Sequence, residues 1–154
     1  MYTTSEFAVW IKQPLPNAGV VIITHAALPK YIIDKLHVAI DDWDQVAYLV
    51  VKQPSELMLD FLRAGSDQSE SNPMTACHAG KLLQSVSKNC FLIDVEVSLT
   101  PNLAWLGSVC GHKLRFVKLG PSEPSNAAMD QQVEKILSMA RTLAKNVLEE
   151  SCMI

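Results

Sequence analysis

One stretch limits the folds open to this chain more than any other: Gly19-Val-Val-Ile-Ile-Thr-His25-Ala-Ala-Leu-Pro29-Lys-Tyr-Ile-Ile-Asp-Lys-Leu36. It contains the longest β-branched apolar run in the sequence. Branched side chains lose rotamer freedom in a helix but pack well on a pleated sheet. Pro29 suits the first turn of a helix over about residues 30 to 40, with Ile32, Ile33, Leu36 and Ile40 on one face. Local propensity therefore makes Val20 to Thr24 a strand that delivers His25 to the head of an amphipathic segment. The alternative is one helix beginning at Gly19. It would carry Pro29 inside it, at a cost of about 3 kcal/mol unless the helix kinks there.

The rest of the chain alternates strand-like and helix-like segments. Glu6 to Lys12 is short, apolar and aromatic, and Pro14 and Pro16 stop it. Gln45 to Lys52 is apolar throughout, the pattern of a central strand. Asn89 to Leu99 contains Phe91-Leu-Ile-Asp-Val-Glu-Val97, and Lys113 to Leu119 alternates basic and apolar residues. Helices are expected from Pro54-Ser55 to about Arg63, with Ser55 as the cap and Leu57, Met58, Phe61 and Leu62 inward, and over Met74 to Val86. The strongest helical signal is the last. Met129, Val133, Ile136, Ala140, Leu143 and Val147 keep alternating four-three spacing over five turns. That stripe is a packing face, or the seam of a homodimer. The expected architecture is one α/β domain over residues 1–154, a layered mixed sheet of four to five strands with helices on both faces.

Composition removes several classes of function. With 154 residues, 49% of them hydrophobic and 19% charged, the chain is of globular type and can bury a sizeable core. A net charge of −3 argues against a protein built to wrap DNA. No apolar run reaches the eighteen or so residues of a membrane helix. Cys77, Cys90, Cys110 and Cys152 show no framework spacing, and Met1 to Trp10 has no signal-peptide pattern, so a cytoplasmic protein with reduced thiols is expected. Neither Gly-rich phosphate loop is present, and no cofactor is expected.

The residues that carry chemistry are few. Cys77-His78 and Cys110-Gly-His112 lack the two-residue gap of paired metal ligands, and no metal site is expected. A thiol nucleophile at Cys90 or Cys110 would need a histidine and an orienting group beside it. His25 stands out as a lone imidazole on an apolar segment, either a hydrogen-bonded core histidine or a site residue. Val-Ile-Ile-Thr-His25 resembles the strand-Thr-His segment of the mannose-type sugar-phosphotransferase A domains, which implies a phosphoryl acceptor. Their Gly after the histidine and their later Gly-rich serine segment are absent.

A longer resemblance runs in order along most of the chain. Ile11-Lys12-Gln-Pro-Leu15, His25-Ala26-Ala27, Trp43, Val50-Val51-Lys52-Gln-Pro54, Leu92-Ile-Asp94-Val-Glu-Val-Ser98 with Pro101-Asn102, and Leu119-Gly120-Pro121 are similar to successive motifs of the archaeal and eukaryotic class of peptidyl-tRNA hydrolases. The resemblance implies that family's fold, with Gly19 to Leu36 as one helix kinked before Pro29. It also implies an esterase acting on peptidyl- or aminoacyl-tRNA. His25, Asp94 and Ser98 would supply the base, its orienter and a hydroxyl, and Lys12, Lys113 and Arg115 would be the cations facing substrate. The family's lysine ahead of its first helix has no counterpart, and its Gly-Arg after the aspartate is Glu96-Val97 here. Activity is therefore expected to be altered or lost. A non-catalytic module, dimerising through the C-terminal helix, is the competing expectation.

Overall fold

The computed structural model describes residues 7–66, 77–96, 103–119 and 125–152. Five strands form one mixed sheet: β1 (Ala8–Lys12), β2 (Val20–His25), β3 (Val46–Val51), β4 (Phe91–Glu96) and β5 (Lys113–Lys118), in the order β1-β3-β2-β4-β5. β2, β3, β4 and β5 run parallel, and β1 pairs antiparallel with β3 at the edge. The described helices are α1 (Lys30–Ile40), α2 (Pro54–Ser66), α3 (His78–Leu83) and α4 (Asn126–Cys152), with a 3-10 segment at Ala104–Ser108. Among the described residues, no helix is long and apolar enough to cross a membrane.

The stretch Gly19 to Leu36 is a strand, a turn and a helix. This corrects the single kinked helix that the peptidyl-tRNA hydrolase resemblance implies. The physical reason lies in the neighbours as well as in propensity. β2 is the central strand, paired on both sides, and all its residues but His25 are buried. A strand covered on both faces rewards an unbroken branched-aliphatic run. Pro29 then stands immediately before α1 with an extended ψ of 134°, where its missing N–H leaves no helical bond unmade.

Two apolar layers sandwich the sheet. On the first face Val20, Ile22, Tyr48, Ile93 and Val95 meet Ile32, Leu36 and Ile40 of α1 and the inner face of α4. On the second face Val21, Ile23, Leu49 and Leu92 meet Leu57 of α2, Leu82 and Leu83 of α3, and Leu103 and Leu106 beside the 3-10 segment. Val133, Ile136, Ala140, Leu143 and Val147 of α4 are all core residues. The stripe is thus packed on the sheet and unavailable as a dimer seam.

Local differences from expectation have local causes. α2 starts at Pro54, a favoured first helical residue, so Ser55 lies within the helix and does not cap it. Its inner contacts are Leu57 and Phe61, the latter stacked on Trp105 with ring centroids 5.2 Å apart. Met58 and Leu62 are exposed. α3 spans His78–Leu83, short of Val86, with the Cys77 sulfur accepting from Gly80 N–H at 3.2 Å as its cap; Met74 to Ala76 of the expected helix lie outside the described residues. Gly111, at φ 81°, makes the left-handed turn into β5 that other residues rarely adopt.

Candidate functional site at the carboxyl edge of the sheet

The chain leaves β2 towards α1 on the first face, whereas it leaves β4 towards the 3-10 segment on the second. Adjacent parallel strands whose connections part in this way open a crevice at their carboxyl ends, where α/β proteins commonly bind ligands. His25 ends β2 at this point. Its carbonyl accepts from Leu28 N–H at 3.0 Å, closing a tight turn, and Ala26 N–H donates to the Val51 carbonyl at 2.9 Å. The imidazole is half-buried, and its Nδ1 accepts from Ala27 N–H at 2.8 Å. A nitrogen that accepts a backbone N–H carries no proton. The hydrogen-bond network therefore assigns the neutral ring the Nε2–H tautomer.

Asp94 lies on β4 opposite Ile23 of β2 and Phe116 of β5, on the second face of the sheet. It is fully buried, with the Glu96 carboxyl beside it. Glu96, two residues on and on the same face, is 3% exposed, and its Oε2 accepts from Leu103 N–H at 3.0 Å. Burial pushes the Asp94 carboxyl up to about 8, and the neighbouring Glu96 adds to the rise. One step beyond the Thr24–Val95 pair, Glu96 stands at the level of His25, with Lys118 paired to it on β5.

The remaining expected site residues do not join this group. Ser98 lies outside the described residues. Lys12 is at the amino end of the parallel strands, paired with Tyr48. Its Nζ donates to the Ile40 carbonyl at 2.6 Å and to the Trp43 carbonyl, closing the turn after α1. Lys113 pairs with Phe91 at that same end, and both Lys113 and Arg115 sit over the Phe91 ring. Five strand residues separate that level from His25, roughly 16 Å. Lys113 and Arg115 do share a face, as strand alternation requires, but it is the first face and not that of His25.

Glu96 and Lys118 are the edge residues that sequence reasoning did not select. The available signal was the period of two, which puts Glu96 on the Asp94 face. The cysteines have structural surroundings. Cys90 donates to the Ala18 carbonyl at 3.2 Å, and burial pushes its thiol up to about 12. Burial raises Cys110 as well. Among the described residues no three of His, Cys, Asp and Glu gather as metal ligands.

No family model matches the chain, and no curated protein or solved structure does either.

Proposed function

We propose that the protein is a hydrolase-like α/β domain that binds a carbonyl-bearing ligand at the carboxyl edge of its sheet, with ester-cleaving activity altered or lost. The observation that supports this reading best is the bond from Ala27 N–H to His25 Nδ1 at 2.8 Å. It leaves Nε2–H as a donor suited to a carbonyl oxygen, and it occupies the lone pair that a general base would use. Asp94, the other candidate base, is sealed in the interior, where burial raises its carboxyl. The edge thus has a polarising donor but no accessible base among the described residues.

Peptidyl- and aminoacyl-tRNA are the esters that the resemblance names, although His25 ends a strand where the resemblance puts a helix, and Lys113 and Arg115 lie on the opposite face of the sheet from it. The test joins a rate to a binding measurement. Release of tRNA from peptidyl-tRNA is expected to be slight in the wild type and unchanged in His25→Ala. An uncleavable amide analogue of an aminoacyl-adenosine is expected to shift the His25 Nε2 resonance and the Ala26 and Ala27 amides. Rapid turnover that depends on His25 would overturn the loss of activity, and silence at those resonances would overturn the binding site.

A second reading is favoured by the strand at Val20–His25. A histidine at the end of a parallel strand is what the phosphotransferase resemblance implies, with His25 accepting a phosphoryl group at Nδ1 once the Ala27 N–H bond to that nitrogen is released. Phosphoramidate, which phosphorylates histidine directly, tests it. An acid-labile phosphate forming on His25 faster than on the exposed His37 supports the reading, and equal rates reject it.

A further inference from the structure

A groove lies at the opposite end of the sheet from His25, between the carboxyl-terminal half of α4 and the chain entering β3. Its volume is about 430 Å³, within the range of sites that hold small organic molecules. Val46, Ala144 and Leu148 line it with apolar surface, and Asn17 and Gln45 add side-chain amides. Gln45 is held in place because its carbonyl accepts from both Gly19 N–H and Val20 N–H, at 2.8 and 3.1 Å. Helical spacing aligns Arg141, Ala144, Lys145 and Leu148 along one wall.

The charges of the groove are unevenly matched. Arg141 donates to Glu134 at 2.9 and 3.2 Å, and its guanidinium lies 5.4 Å from the Trp43 ring centroid, so both its charge and the ring face are engaged. Asp44, the only carboxylate among the described residues lining the groove, lies near Lys12, whose pKa burial lowers while Asp44, Asp41 and Asp42 work against that lowering. Lys145 has neither an ion pair nor a hydrogen bond among the described residues. An ammonium group at the rim of an apolar cavity is complementary to one kind of molecule, an anion with an apolar body.

We propose that this groove is a binding site for a small amphipathic acid, an aryl or medium-chain carboxylate. Lys145 pairs with the acid group while Val46, Ala144 and Leu148 cover the hydrocarbon. The site is independent of the His25 edge, so ligands at the two ends of the sheet do not compete.

Anilinonaphthalene sulfonate, an aryl body with one anionic group, is a direct probe because its fluorescence rises in apolar surroundings. The folded protein is expected to bind one equivalent saturably, and decanoate is expected to displace it. Lys145→Glu is expected to weaken binding about tenfold, with most of that loss disappearing in molar salt as charge interactions are screened. Lys81→Glu, on the exposed surface of α3, is the control with the same charge change and is expected to leave binding as it was. Circular dichroism confirms that each variant is folded. Unsaturable binding, no displacement by decanoate, or equal losses in the two variants would overturn the site, as would absence of probe binding at millimolar concentration.

Discussion

Asp94 is the residue at which this protein's chemistry is most exposed to pH. Its carboxyl is raised from an ordinary 3.8 to about 8, so the folded state binds a proton more tightly than the unfolded chain does. The sign follows directly. The stabilisation is fully present below pH 3.8 and is lost as pH rises towards 8, at up to about 1.4 kcal/mol per pH unit within that window. Urea titrations of the wild type and Asp94→Asn across this range are expected to differ in slope, the variant lacking that decline. A parallel pair of curves would mean that Asp94 titrates normally. Tyr48 offers a second check. Its hydroxyl meets Thr24 Oγ1 at 2.7 Å inside the core. Tyr48→Phe leaves the Thr24 hydroxyl buried without that partner, and is expected to cost about 1–3 kcal/mol in the same assay. At Cys90, a thiol held near 12 supplies almost no thiolate at pH 8. Iodoacetamide is expected to leave Cys90 unmodified until the protein is unfolded, as mass mapping of the labelled peptides would reveal.

Between elements, α4 fits closely against the start of β2 at Gly19. A Cβ on Gly19 would stand 3.3 Å from Val147 Cβ and 3.4 Å from its Cγ1. Gly19→Ala is therefore expected to destabilise by about 1 kcal/mol, and by less in a Val147→Ala background, where the crowding is relieved. Thermal melts of the four proteins in that cycle measure the coupling. Element types were largely legible in the sequence because the apolar periods are clean, as in β3, buried at every position, and in the stripe of α4. What the sequence did not contain was the pairing order. Nothing local says that β2 lies between β3 and β4, and that placement alone brings Glu96 level with His25 and sends Lys12 and Lys113 to the other end. The Val20–Thr24 strand is legible too in its run of branched residues, which outweighs the helix that the motif resemblance implies there. The candidate site was half legible: His25 and Asp94 stood out by residue type, but the tautomer of one and the complete burial of the other are tertiary properties.

At the scale of the whole molecule, two layers of helices close both faces of the sheet, and the apolar stripe of α4 belongs entirely to the first layer. Ile136→Asp separates this arrangement from a dimer seam. It is expected to unfold the chain, seen as loss of circular dichroism, whereas a seam residue would yield folded monomers by sedimentation. β1 has a different kind of importance. Phe7 accepts at its carbonyl from both Lys52 and Gln53 N–H groups, at 2.7 and 3.1 Å, and β1 lies along β3 from Val51 back to Tyr48. Without that strand, Val46–Val51 would become an open edge of six apolar residues with unpaired backbone groups, the pattern that templates intermolecular β-pairing. Proteolytic loss of the first dozen residues would then do two things at once, uncovering the second-face core where Ala8 and Trp10 are buried and offering neighbouring molecules a bare strand to pair with.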